Sequence, residues 1–369
     1  MRTAIPTSGA ASLDELIEAE EIERYGSATC MADVEDLSSS CGVKSAPNTV
    51  GGCVLSPPAA AEVRAAFDAS LASGDRWTAM ESLRATSGAA AGPVLVGAVH
   101  SVETFSTTDG PGIRAVLFLQ GCTRRCRFCS NPDSLAIYSD PAKSVPELAM
   151  TDVQVEELVL KPLQPFLSPN NGGITLSGGD PLVQPFFAAA IFRRARSLGL
   201  TTCLDTAGTG SPNCWDAVLP HTTHVLLCPK VLGDDKAYAE LVGDARGAAV
   251  CRKFAKHIVD HYVDAIRVTV RWVLIDGVTD TDEQVSELGD FCCSLGLSFH
   301  SVELLPYHEF GKAKWEALGW KYPMAGVAEY ARAKAMEFAE RLEKTLAAVL
   351  SPPHDGKGRV VLADGRGAG

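Results

Sequence analysis

From Val96 onward, short apolar runs alternate with longer stretches in which apolar residues recur every three or four positions. The run Arg114-Ala-Val-Leu-Phe-Leu-Gln120 is continuous rather than alternating, the pattern of a strand buried on both faces. Similar runs at 173–176, 201–204, 223–227, 266–275 and 299–305 predict five more strands. Between them, segments 152–163, 182–198, 247–262 and 281–295 fit helices. A last helix carries Ala331, Ala335, Phe338, Leu342 and Leu346 along one face. Six strands alternating with helices predict an α/β fold of parallel β/α units, either an open sheet or an incomplete barrel. In both, the ligand sits at the C-terminal ends of the strands.

Residues 1–95 follow another pattern. They hold six Lys/Arg against 13 Asp/Glu and are rich in Ala, Ser and Gly. Ser12 and Glu15 have capping-box spacing ahead of a short acidic helix. Val63, Phe67 and Leu71, and then Trp77, Met80 and Leu83, fall at helical spacing. The prediction is a loosely structured, partly helical extension, either disordered or a targeting segment, with no chemistry of its own. Nothing near Met1 pairs a basic start with an apolar stretch, so no secretory signal is expected, and the acidic cluster argues against a simple organelle transit segment. Residues 96–350 form the expected core and 351–369 a tail.

Charge and composition narrow the class. Lys+Arg of 33 against Asp+Glu of 45 gives a net −12, which argues against nucleic-acid binding through phosphate neutralisation. With no run of about 18 apolar residues, no membrane span is expected. Of the 12 cysteines in 369 residues, three crowd into Cys122-Thr-Arg-Arg-Cys126-Arg-Phe-Cys129, directly after the first predicted strand. Three thiols at that spacing can wrap one iron–sulfur cube within a single loop. A structural zinc would need a fourth ligand nearby, and neither Cys nor His follows in the loop. Three cysteines would leave one iron open to a ligand. Arg124, Arg125 and Arg127 place positive charge beside an anionic cluster, or are solvated surface charges.

The cysteine motif, with Phe128 before its last member, resembles that of the radical S-adenosylmethionine superfamily. Further motifs follow in order: Asp109-Gly-Pro-Gly-Ile-Arg114, Asn131-Pro-Asp133, Ser177-Gly-Gly-Asp180, Cys203-Leu-Asp-Thr206 and Glu303-Leu-Leu-Pro-Tyr-His308-Glu-Phe-Gly-Lys312. Together they resemble the glycyl-radical-enzyme activases, most closely those acting on pyruvate formate-lyase. The resemblance runs from about Val96 to Leu350 and implies a partial (β/α)6 barrel.

It also implies roles. Cys122, Cys126 and Cys129 would hold a 4Fe–4S cluster whose open iron chelates S-adenosylmethionine. Gly178, Gly179, Asp180, Asp205, Thr206, Lys230, Arg271 and His308 would contact that cofactor. Arg271, a charge within an apolar run, needs a partner, either the cofactor carboxylate or an inter-strand salt bridge. Asp109, Gly110, Pro111 and Gly112 make a tight turn that would face the glycine loop of the partner enzyme. Reductive cleavage of the cofactor would yield methionine and a 5′-deoxyadenosyl radical, which abstracts hydrogen from a backbone glycine of pyruvate formate-lyase. Flavodoxin or ferredoxin would donate the electron, and a monomer is expected in cytoplasm or in a mitochondrial or chloroplast matrix. Three positions depart from the pattern. Asp180 stands for Glu, Ser130 for His, and Cys228 replaces a carboxylate, which predicts a weakened monovalent cation site. The alternatives are activation of another glycyl radical enzyme, or passive electron transfer by the cluster. Cys129 to Ser177 contains no further cysteine, which weighs against the dehydratase-type activases.

Overall fold

The six apolar runs become one parallel block. The computed structural model describes residues 49–50, 53–54, 95–137, 148–233, 235–244, 246–350 and 359–363. Nine strands of one sheet are β1 (Val96–Ser106), β2 (Arg114–Leu119), β3 (Leu148–Thr151), β4 (Gly173–Gly178), β5 (Thr201–Thr206), β6 (His224–Leu227), β7 (Arg267–Leu274), β8 (Phe299–Pro306) and β9 (Val360–Leu362). Their order is β9-β8-β7-β6-β5-β4-β2-β1-β3. From β2 to β8 every neighbouring pair is parallel, and the six strands succeed one another in chain order. Crossovers of one hand between sequential neighbours put all helices on one face, so the other face becomes the inside of a partial (β/α)6 barrel. Strands β2 and β4 are buried along almost their whole length, as their largely apolar sequences favour.

The described helices are α1 (Lys161–Leu167), α2 (Pro185–Ser197), α3 (Pro212–Val218), α4 (Asp235–Val242), α5 (Gly247–Tyr262), α6 (Asp282–Ser294), α7 (Lys312–Ala317) and α8 (Arg332–Ala347), of which α7 lies against the loop that follows β2. A helical turn at Asp152–Val155 and a π turn at Glu156–Leu160 lead into α1. Thr151 opens that run with a reciprocal capping box, its hydroxyl accepting from the Gln154 N–H while the Gln154 side chain accepts from the Thr151 N–H. On the inward side of α2 and α5, Phe192, Phe254 and Ile258 are fully buried.

Two additions were not expected. The edge beyond β2 is closed by β1, antiparallel to β2, and then by β3, antiparallel to β1. Strand β1 has polar and half-exposed residues along much of its length, so no continuous apolar run marked it. At the opposite edge, β9 lies within the segment expected to be a tail and pairs in parallel with β8. Glu343 of α8 accepts the Arg359 and Val360 N–H groups at its start. Three residues are too few to display a period. Of the extension, the described residues form two short strands, Thr49–Val50 and Cys53–Val54, paired antiparallel. The helices expected around Ser12, Val63 and Trp77 lie outside the described residues. No described helix is long and apolar enough to cross a membrane.

Candidate functional site

One cleft, enclosing about 920 Å³ of space that includes open solvent, lies at the C-terminal ends of β4 to β8 and under the loop that follows β2. Cys122, Cys126 and Cys129 all line it. The first two are buried and the third is half-buried. Burial pushes the Cys122 thiol up to about 12, with the Asp180 carboxylate adding to the shift. Burial also lifts Cys129 to about 12 and raises Cys126, the latter partly offset by Lys230. Such thiols do not ionise unaided at neutral pH, so a metal has to displace their protons. Among the described residues no three His, Cys, Asp or Glu side chains converge on a single-ion site. The three loop thiols all face one cleft, and thiolates from one loop are the ligands that an iron–sulfur cube takes at its separate iron vertices. The donor set therefore fits an iron–sulfur cluster. Arg124 N–H, 3.4 Å from the Cys122 sulfur, supplies a hydrogen bond that favours the thiolate.

The loop is held from both sides. Arg125 and Arg127 N–H groups donate to the Val242 and Leu241 carbonyls at the end of α4, 2.8 and 3.0 Å away. Arg124 is buried and ion-paired with Asp244, its guanidinium 5.8 Å from the Tyr238 ring centre. Of the two readings open for the loop arginines, Arg124 is not a solvated surface charge, whereas Arg127 is exposed. On the other side, Trp315 and Lys314 of α7 reach the loop's C-terminal half.

Gly178 and Gly179 line the cleft, but their lack of a Cβ serves packing as well as access. Gly178 has φ 105°, and a Cβ there would fall 2.4 Å from the Leu119 backbone. A Cβ on Gly179 would fall 2.1 Å from the Gly121 carbonyl. The Gly179 N–H donates to Leu119 and the Asp180 N–H to Gly121, which docks the end of β4 directly onto the start of the cysteine loop. Asp180 also lines the cleft, and its carboxylate is engaged by protein donors. It accepts from the Thr206 hydroxyl at 2.8 Å, the Ala207 N–H at 3.1 Å and the Leu182 N–H at 3.1 Å. Burial raises its pKa despite those donors. Asp180 thus fixes the ends of β4 and β5 together.

Asp205, on β5, accepts from the Ser177 hydroxyl at 2.8 Å and from Arg271 Nη1 at 3.3 Å. Arg271, on β7, also donates through Nε to Glu303 at 2.7 Å and through Nη2 to the Thr108 carbonyl at 3.0 Å, with Asp109 3.6 Å from Nη1. Burial alone would lower its pKa, but Asp205, Glu303 and Asp109 outweigh it and hold the guanidinium above the ordinary arginine range. The inter-strand salt bridge is therefore present, with Glu303 directly opposite Arg271 in register. Glu303 was missed as a site residue, although its place three residues before the end of a strand could have marked it.

Lys230 follows β6 with φ 71°, a left-handed backbone that a non-glycine residue adopts at a cost. Its ammonium lies 5.9 Å from the Phe128 ring centre, and among the described residues no carboxylate is within ion-pair distance of it. Burial would strip its proton, but Cys228, Cys126 and Asp205 outweigh that and keep its pKa well above the ordinary lysine value. Thr206, Cys228 and Ser130 line the same cleft.

Two expected groups do not line the cleft. His308 is not among the cleft-lining residues; its Nδ1 accepts from the Phe310 N–H and its ring stacks on Phe310, 4.0 Å between centres. The Asp109 to Gly112 turn folds across the inside of the sheet. The Asp109 carbonyl accepts from the Thr175 hydroxyl at 2.6 Å and the Pro111 carbonyl from Arg114 at 2.8 Å. Gly110 and Gly112 have φ 115° and 75° and pack against Cys203 and Asn170. Only Gly112 is exposed, so any grip on a partner's backbone is left to that edge. Of the cysteines expected to be small buried hydrophobes, Cys203, Cys214, Cys251 and Cys292 are buried, whereas Cys293 is half-buried.

Residues 108–230 match the family model of a 4Fe–4S single cluster domain. The chain is 36% identical over 241 residues to a pyruvate formate-lyase-activating enzyme of Staphylococcus epidermidis, covering 63% of this chain and 90% of that one. It is 35% identical over 235 residues to the pyruvate formate-lyase 1-activating enzyme of Escherichia coli K12, covering 63% and 89%. Among solved structures, a radical SAM methyltransferase from Sphaerobacter thermophilus aligns with a TM-score of 0.44 at 18% identity, over 74% of this chain and 79% of that one. The extent and identity of the match to the activating enzymes decide the matter: this chain belongs to the pyruvate formate-lyase-activating enzyme family of radical S-adenosylmethionine enzymes.

Proposed function

We propose that this chain activates a pyruvate formate-lyase by removing one hydrogen atom from a backbone glycine of that enzyme. The observation that carries the proposal is one cleft lined by three loop thiols and by Lys230, Asp205 and Arg271 from successive strand ends, in a member of this family. When bound, the 4Fe–4S cluster and S-adenosylmethionine supply the one-electron chemistry, a cleavage of the cofactor's C5′–S bond that no side chain could perform.

The protein's part is to bind, orient and keep dry. Cys122, Cys126 and Cys129 hold three irons of the cluster. Lys230 offers an uncommitted ammonium to the cofactor carboxylate. Asp205 and Ser177 present acceptor oxygens to its cationic groups and hydroxyls, with Arg271 holding Asp205 in place. Asp180 and Thr206 fix the floor between β4 and β5. Val273, Leu305 and Ala207 form apolar wall that excludes water from a reactive species. An external one-electron donor of the flavodoxin or ferredoxin type completes the cycle, and the chain acts as a monomer. The exposed edge of the turn at Gly112 is the contact proposed for the partner's glycine loop.

The test is anaerobic mixing of the reconstituted, reduced chain with S-adenosylmethionine and purified pyruvate formate-lyase, read by electron paramagnetic resonance. A glycyl doublet in the partner is expected. Cofactor cleavage with no doublet in that partner, but one in a different glycyl radical enzyme, would move the assignment; no doublet in any would overturn it.

A further inference from the structure

The three loop cysteines are not secured alike. At Cys122 the entry is pinned by main chain, since Gly121 N–H donates to Ser134 and Cys122 N–H to Leu135. Around Cys126 the flanking Arg125 and Arg127 N–H groups donate to Val242 and Leu241. Cys129 is the least buried of the three, and its own N–H makes only a local turn to the Cys126 carbonyl. Beyond it the chain must turn toward Asn131. There the Trp315 indole N–H donates to the Cys129 carbonyl at 2.9 Å, across 186 positions of sequence.

The surroundings hold that bond in place. Trp315 is buried, and its ring packs edge-on against Trp320 at 5.8 Å and lies 6.2 Å from the Tyr322 ring. One residue earlier, Lys314 Nζ donates to Asn131 Oδ1 at 2.6 Å and stands 3.7 Å from Asp133. Gly311 lies so close under the loop that a Cβ would fall 2.8 Å from both the Cys129 carbonyl oxygen and the Ser130 Cα. A helix that follows the last strand of the parallel block thus covers the half of the cysteine loop that other elements leave unpinned.

We infer that Trp315 is a positioning residue for the third cluster ligand: its indole N–H fixes the Cys129 peptide and so slows departure of that thiolate from iron. A half-buried ligand meets water and competing thiols more readily than its two buried companions, and a peptide free to rotate would let it leave. The role concerns the lifetime of the assembled cluster and not its formation, because the three thiols and their main-chain anchors remain when the indole is changed.

The inference rests on the loop carrying the cluster. Trp315→Phe keeps the aromatic body and removes the donor, and Trp320→Phe alters the same aromatic group without touching the loop. Both full-length variants and the native chain are reconstituted anaerobically, and iron loss to a ferrous chelator is followed. Equal iron at the start is expected, with Trp315→Phe losing it about tenfold faster, the effect of one buried hydrogen bond, and Trp320→Phe matching the native chain. Native-like loss from Trp315→Phe, or equally fast loss from Trp320→Phe, would overturn the inference. Amide hydrogen exchange over residues 128–133 of the iron-free chains gives a second reading. Faster exchange in Trp315→Phe alone supports the role, and unchanged exchange refutes it. A native chain that takes up no iron would sink the cluster assignment, while the exchange experiment still decides what Trp315 does.

Discussion

Two arginines lie inside this sheet and are held in opposite ways. Arg114, at the N-terminal end of β2, is fully buried and donates to five neutral oxygens: the Thr175 and Thr201 hydroxyls and the Pro111, Ile174 and Thr201 carbonyls. Burial lowers its pKa. Arg271, nearer the C-terminal ends, is surrounded by Asp205, Glu303 and Asp109. The first is a staple that joins the ends of β2, β4 and β5 with hydrogen bonds that need no counter-charge. The second leaves an excess of negative charge beside the cleft, three carboxylates to one guanidinium. A cation or an ammonium-bearing cofactor would be drawn to that excess, whereas a carboxylate would be met by Lys230. The difference assigns Arg114 to folding and Arg271 to the electrostatics of the site.

Substitutions can break that contrast. The largest effect is expected from Arg114→Met, which strands five acceptors at roughly 1–3 kcal/mol each before relaxation. No cooperative thermal melt should be seen, and Arg114→Lys should not restore one, because an ammonium cannot reproduce the guanidinium fork. A melt within a few degrees of the native chain would dissolve the contrast. Arg271→Met should cost about 3–5 kcal/mol at pH 8, as expected for stranding buried charge. Acid should return part of it. Burial already raises the Asp109 pKa against the pull of Arg271. With Arg271 gone it rises further, so the folded state holds a proton the unfolded chain releases. The stability that proton confers is complete below the ordinary carboxylate value and is lost as pH rises through the folded pKa. Melts of Arg271→Met at pH 5 and pH 8 should therefore differ more than those of the native chain, and equal differences would contradict the assignment.

Lys230→Met sharpens the comparison from the other side. Losing a charge-assisted hydrogen bond to the cofactor carboxylate, worth about 1.5–3 kcal/mol, should weaken S-adenosylmethionine binding about 10- to 100-fold. The melting temperature should hold, since no ion pair is broken, and an unchanged affinity by calorimetry would return the carboxylate to Arg271. The smallest effect concerns Cys228. Thr206 is tied to Asp180 and Asp205 to Ser177 and Arg271, so few oxygens remain for a monovalent cation. Potassium should stimulate cofactor cleavage by the native chain less than twofold, about the margin a surface-strength contact provides, and Cys228→Asp should increase the response. Strong potassium-specific activation of the native chain would refute this.

These features were unequally visible in the chain itself. The parallel block was legible because strands buried on both faces are predominantly apolar, most plainly in β2, while β5 and β8 carry polar residues such as Asp205 and Glu303 within shorter apolar runs. Strands β1 and β9 were not, the one being half polar and the other three residues long. Spacing gave away the cysteine loop, and a charge inside an apolar run gave away Arg271. What spacing cannot carry is pairing across distance. Glu303 meets Arg271 through strand register, Asp244 meets Arg124 through the turn after α4, and Trp315 meets Cys129 from 186 positions away. Arg114 shows no role in sequence, because its neutral acceptors leave no complementary charge there to point at.

The seam between β4 and the cysteine loop has a consequence of its own. Leu119, Gly121, Gly178 and Gly179 meet there through peptide groups alone, with less clearance than a methyl group needs. A joint without side chains has no rotamers, so it cannot settle into several nearly equivalent fits as side-chain contacts do. The offset between the metal-binding loop and the strand end beside it is therefore set by bond lengths and two hydrogen bonds. It should vary as little with temperature or crowding as the peptide unit does. For the hydrogen abstraction proposed above, a fixed offset at this seam would serve as the datum from which the cofactor is aimed.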